Sequence, residues 1–442
     1  MGRKKQTQSL NIFMNNHLVG SLNRASSGKL ELLYTDEWIS SEQSRSISLS
    51  LPVVSKRHIG ASVDSYFDNL LPDNENIRMR IQRRFKIQSS SSFDILAETG
   101  RDCVGALQLL PADSEPETIQ QINAEPLDDK QIADMLKGYQ RSPLGMGEDN
   151  DFRISIAGAQ EKTALLFYNG KWCRPKGATP TSHIIKLPIG NITSNNIDLS
   201  ESVENEWLCH LILKTFGIPI ANAEIVTFED MKVLAVERFD RKWIDDEKWI
   251  IRLPQEDFCQ AKGIPPAIKY ESDGGPDIKD IMDTLLGSSN NEEDRFIFMK
   301  SVFLFWVMGA VDGHAKNFSI FLEAGNNYRL TPLYDVISIY PIIAKKQIHP
   351  SKVKMAMSVV GTKKKYLWER IHVDNWIRTA DACNFSKEAM HEIINEMLST
   401  IDDVIEKVKS QLPNDFPTHI SEPIFRYMQE IKKKCLNDLV SE

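Results

Sequence analysis

An α+β fold in two lobes, strands first and helices after, is what this sequence predicts, and three observations predict it. Short strand-like runs separated by turn signals fill the region up to residue 240, and apolar residues at helical spacing dominate beyond 250. The third is a buried-helix pattern at 295–311 that ends on a polar cluster. In "FLFWVMGAVDGHAKNFSIFL", residues 303–322, Asp312, His314, Lys316 and Asn317 separate two segments apolar enough to be buried. Four polar side chains there have no packing value, so the loop is a candidate for chemistry.

Each element follows in order. In "LNIFMNNHLVGSL", Asn15 and Asn16 divide two apolar runs, and "SISLSL" alternates with period two, as a strand does. A short helix is expected over "NENIRMRIQRRFK", whose Arg78, Arg80, Arg83, Arg84 and Lys86 form either a solvated face or a docking face for an acidic partner. The polar, acidic stretch 112–130 has the composition of a linker. Next, Asn169-Gly170 in "TALLFYNGKWC" predicts a hairpin over 163–175, because a type I′ turn needs positive φ at both central residues. A β-branched strand, 182–188, carries Lys186. A helix follows with Val203, Trp207, Leu208, Leu211 and Ile212 on one face, stopping at Gly217. Two strands, "AEIVTF" and "KVLAVERF", bracket a turn at Glu229-Asp230. After the 295–311 helix, "SIFLEAGNNYRLTPLYD" predicts a hairpin turning at Gly325–Asn327, and Ile393, Ile394, Met397, Leu398, Ile401, Val404, Ile405 and Val408 make a packing stripe. The domain reading is an N-terminal subdomain at 1–111, linker and helix at 112–150, a nucleotide-binding core at 151–240 and a helical lobe at 241–442.

Composition narrows the partners. The chain has 442 residues, 41% of them hydrophobic, and a net charge of −8. Its surface as a whole repels polyanions, so any DNA contact has to come through a local patch or a basic partner. Six cysteines with no C-x-x-C pair fit reduced thiols in the cytoplasm and argue against a zinc site or a disulfide framework. The basic N-terminus lacks an apolar core, and 296–311 is interrupted by Lys300 and short for a bilayer, so neither secretion nor a membrane is expected.

Asp312 and Asn317 stand in a D-x-x-x-x-N arrangement with Asp335 beyond the hairpin. Alone this pattern is weak. The order of parts is stronger: hairpin, strand with a lysine, helix with carboxylates, two strands, helical lobe, D-x-x-x-x-N, hairpin, aspartate, which is the order in a protein kinase. Phosphoryl transfer needs a carboxylate for the incoming hydroxyl, oxygen ligands for magnesium and a lysine on the phosphates. Asp312, then Asn317 and Asp335, then Lys186 are the candidates. Lys186 also reads as a protective edge lysine, Glu204 and Glu206 as either solvated or partners of Lys186, and His314 and Ser155 as structural.

The strings "DFRISIAGAQEKTALL", "HIIKLP", "LAVERFDR", "RLPQEDFCQ", "KYESDGGP", "DGHAKNFS" and "LTPLYDVIS" resemble the HipA family of serine/threonine kinase toxins over nearly the whole chain, and most closely its long, persistence-associated members. The resemblance implies a two-lobed protein-kinase-like fold, with a β-rich N-terminal lobe, an extra small N-terminal β-containing subdomain and a mainly helical C-terminal lobe. It implies ATP and magnesium (Mg2+) as cofactors and a small helix-turn-helix antitoxin, HipB, through which operator DNA is bound. It also implies glutamyl-tRNA synthetase as the protein substrate. By the same resemblance Asp312 is the catalytic aspartate, Asn317 and Asp335 are magnesium ligands, and Lys186 is the phosphate lysine. Ala157, Gly158, Ala159, Gln160, Glu161 and Lys162 form the phosphate loop, Glu237 and Phe239 the adenine hinge, and Gln255, His314 and Tyr334 line the nucleotide pocket. Ser155 matches a self-phosphorylated serine. The loop "SIAGAQEKT" holds one glycine, so neither a Walker A motif nor a standard Gly-rich loop is present. A small-molecule kinase and a non-catalytic co-repressor subunit are the competing readings.

Overall fold

The computed structural model describes residues 8–87, 89–114, 116–141, 157–158, 160–192, 196–245 and 248–440. Ser155 and Ala159 lie outside these. The chain divides into two units, one of 1–187, 226–267 and 320–328, the other of 188–225, 268–319 and 329–442.

In the first unit, Ser9–Met14 and His17–Arg24 form the expected hairpin. Asn15 and Asn16 turn it with φ of 46° and 69°, both in the left-handed region that Asn tolerates best after Gly. The strand order of this sheet is Arg57–Ile59, Leu30–Tyr34, His17–Arg24, Ser9–Met14, Leu107–Pro111. Leu10, Ile12, Leu22, Leu32, Phe67 and Phe93 build its core. The "SISLSL" stretch is not a strand; it is a tight turn with a single bridge from Ser48 to Leu51. Its serines satisfy the backbone locally instead: Ser46 Oγ accepts from Val53 N–H at 2.9 Å, and Ser48 Oγ from Ser50 N–H at 3.1 Å. The basic helix forms as Glu75–Arg84 and buries none of its residues; Arg78 pairs with Asp68 at 2.6 Å and Arg80 with Glu161.

The unit's second sheet runs Ala223–Phe228 (of which 226–228 belongs here), Met231–Glu237, His183–Lys186, Lys162–Tyr168, Lys171–Pro175, Ala124–Pro126. The last strand comes out of the acidic stretch read as a linker, and lies in register with Lys171–Pro175. Asn169 and Gly170 have φ of 50° and 72°, and Tyr168 faces Lys171 across them, as a two-residue type I′ hairpin requires. Glu229 turns the next hairpin at φ 52°. The buried Asp102 and Asp240 share three buried guanidiniums, those of Arg238, Arg241 and Arg252. Burial alone would push both acids up, but the arginines around them hold both well below the usual carboxylate range. Arg238 sits between Glu237 and Phe239, so this network fixes the strand end read as an adenine hinge.

The second unit is built on the helix Asn291–Met308, whose side chains from Phe298 to Met308 are all buried. Phe298 meets Phe318 edge-on at 4.9 Å, and Phe303 meets Trp376 at 5.4 Å. Lys300, which interrupts the apolar run, is paid for by Glu396 at 2.8 Å and the Phe216 carbonyl at 3.2 Å. The stripe Ile393–Val408 is the buried face of Lys387–Lys409. Glu204 and Glu206 are both buried in the helix Ser202–Thr215, so they are not solvated; Glu206 lies 3.7 Å from His210. All six cysteines are buried thiols. No helix among the described residues is long and apolar enough to cross a membrane.

Candidate active site

The loop that carries Asp312 begins where the Asn291–Met308 helix is stopped by Gly309, at φ 65°. Gly313 is needed for a second reason, because a Cβ there would lie 2.6 Å from the Phe305 ring. Asp312 is exposed while its carbonyl is pinned: His314 N–H and Asn317 Nδ2 both donate to it at 2.8 Å. That bond uses the amide nitrogen of the buried Asn317 and leaves Oδ1 as its accepting end. Tyr334 Oη donates to the Lys316 carbonyl at 2.8 Å, closing the same loop from beneath. Asp335, the next residue, takes φ 62°, a conformation that Asp tolerates better than most side chains. His314 is buried with Nδ1 unpartnered, and its pKa is lowered by burial and by Lys269 against the opposing pull of Asp312 and Asp335. The second unit thus brings Asp312, His314, Asn317, Tyr334 and Asp335 into one loop-and-hairpin region.

In the first unit, Lys162 and Lys186 are direct partners in the antiparallel register, with Lys186 buried. Gly158 has φ 107°, a backbone conformation that favours glycine, and Lys162 Nζ lies beside it. Gln160 Nε2 donates to the Leu187 carbonyl at 2.5 Å, and Glu161 is the residue paired with Arg80, so these two side chains serve the loop's own structure. Ala157 precedes the glycine, half-buried. Glu237 is exposed at the strand end, and Phe239 meets Phe321 edge-on at 5.7 Å. Gln255 is buried with Oε1 unpartnered, while its Nε2 is 3.4 Å from Asp240 Oδ2. Within the second unit the hard oxygen donors of Asn317 and Asp335 suit magnesium, and within the first unit the lysine pair suits phosphate. Sequence reasoning missed Tyr270, whose Oη donates to Asp312 Oδ1 at 2.8 Å, and Arg238.

These features define a protein with a kinase-like α+β fold and a D-x-x-x-x-N…D loop. A family model described as the HipA-like C-terminal domain matches residues 154–405, and one described as the HipA N-terminal domain matches 10–110. This chain belongs to the HipA family. It is 29% identical over 408 residues to Y4mE of Sinorhizobium fredii, covering 90% of this chain and 91% of that one. It is 28% identical over 350 residues to a Shewanella oneidensis protein named serine/threonine-protein kinase toxin HipA, covering 76% of each. The solved HipA in a complex of HipA, HipB and operator DNA from the same species superposes with a TM-score of 0.81 at 20% identity over 98% of each chain, a likeness of fold.

Proposed function

We propose that the protein is a toxin serine/threonine kinase that passes the γ-phosphate of ATP to a hydroxyl on a protein. The observation that carries this is the Asp312 loop: an exposed carboxylate whose backbone is locked by Asn317, where an incoming hydroxyl can donate its proton. Lys162 and Lys186 bind the phosphates, Gly158 gives the loop its positive-φ turn, and Glu237, Phe239, Gln255, His314 and Tyr334 border the nucleotide. Asn317 Oδ1 and Asp335 hold magnesium, which neutralises phosphate charge when bound. Asp312 orients and deprotonates the acceptor. The family relation supports the finer reading: a HipB-like helix-turn-helix antitoxin as partner, operator DNA reached through it, self-phosphorylation at Ser155, growth arrest and persistence as outcome, the cytoplasm as location and glutamyl-tRNA synthetase as substrate. Phosphopeptide mapping after incubation with magnesium-ATP and cell extract tests the two points that bear on chemistry: Ser155 as acceptor, and the identity of the labelled protein.

The deciding experiment is Asp312→Asn. Phosphate transfer should fall roughly 100-fold to 10,000-fold, with ATP affinity kept, since the carboxylate acts on the acceptor. Wild-type turnover in the purified variant would remove Asp312 from the reaction.

A further inference from the structure

The geometry points to Tyr270 as the residue that positions the Asp312 carboxylate, a role resting on the reading of Asp312 as the base. Asp312 has its backbone fixed through its carbonyl, but an exposed aspartate side chain still has two free torsions. The phenol of Tyr270 supplies the missing constraint by donating to Oδ1 at 2.8 Å. One carboxylate oxygen is then occupied and the other is left to accept from an incoming hydroxyl.

Tyr270 is itself firmly held. Its carbonyl accepts from Asp273 N–H at 3.0 Å and Gly275 N–H at 2.9 Å, closing a short turn in which Gly274 has φ 98°. Gly275 has no room for a side chain, since a Cβ would lie 2.3 Å from the Ile268 carbonyl oxygen. The ring stands edge-on to His314 at 5.0 Å, with Lys269 Nζ 5.6 Å from its centroid. The next residue, Glu271, is buried, accepts from Ser358 N–H and Oγ at 2.5 and 2.8 Å, and pairs with Lys364 at 2.7 Å. A phenol blocking the acceptor's place would have to leave before each turnover. Anchorage of this kind favours a fixed orienting contact.

The test is Tyr270→Phe, which keeps the ring and removes only Oη. With γ-labelled ATP and magnesium, phosphate release and protein labelling together report turnover. We expect kcat to fall roughly 10-fold to 100-fold, the cost of a misplaced reacting group, with KM for ATP and the melting temperature unchanged. In an Asp312→Asn background the same change should have no further effect, because the two side chains act as one unit. Unchanged or faster turnover in Tyr270→Phe, or additive losses in the double variant, would overturn the role. Turnover that survives Asp312→Asn, or a wild-type protein without turnover, would instead count against the site reading on which it rests.

Discussion

Asp335 shows how much one residue can be asked to do. It sits at φ 62°, where most side chains cost about 1–2 kcal/mol, directly after the tyrosine that closes the Asp312 loop. If its carboxylate holds magnesium, Asp335→Ala should weaken ATP binding in magnesium and leave binding in chelator unchanged. Asp335→Asn tolerates the same backbone and removes the ligand's charge, so it should also weaken ATP binding in magnesium, with a wild-type melting temperature. Calorimetry with and without magnesium checks both, and unchanged affinity in magnesium takes Asp335 out of the metal site. At this scale Asp312 and Asn317 were legible as candidates because they interrupt an apolar run, a signal that Lys300 shares although it serves packing. Tyr270 was illegible because its partner is 42 positions away and a loop tyrosine has no periodic signal. The burial of Glu204 and Glu206 was equally hidden, since a carboxylate on a helix carries no mark of which face it occupies.

Elements were legible where backbone conformation demands particular residues. Asn15-Asn16 and Asn169-Gly170 specify turns by their positive φ, and both hairpins stand where those residues put them. "SISLSL" misled because its period-two pattern comes from serines, which bond the nearby backbone more readily than they extend a ladder. The strand Gln255–Asp257 carries a consequence for pH. Burial pushes the Glu256 carboxyl up to about 8, against the opposing hydrogen bonds from Ser48 and from Leu49 N–H at 2.8 Å. The folded protein therefore keeps a proton that the unfolded chain, with an ordinary carboxyl near 4.5, releases. Stability from this group is intact below pH 4.5 and is lost progressively as pH rises through about 8. Glu256→Gln should flatten that dependence, matching wild type at pH 4 and exceeding it at pH 9 by no more than about 5 kcal/mol. Urea midpoints across that range measure it; parallel curves for the two proteins would show that Glu256 is ionised in the fold.

For the whole molecule, charge decides what can touch DNA. The net charge is −8 and the pI about 5.7, so a polyanion meets repulsion averaged over the surface. On the most basic helix two of the four arginines are already matched, Arg78 with Asp68 and Arg80 with Glu161. Non-specific DNA affinity comes from cations that displace counterions at the phosphates, and these two cations are already matched within the fold. A HipA-family protein that regulates an operator would then borrow its DNA contact from a basic helix-turn-helix partner. In a gel shift at about 150 mM salt, this chain alone should give little or no specific complex with operator DNA, and the antitoxin should restore a slower-migrating one that contains both proteins. Strong sequence-specific binding by the isolated chain at that salt would mean that a local basic surface outweighs the net charge, and the partner would then be needed for restraint of the kinase and not for the DNA.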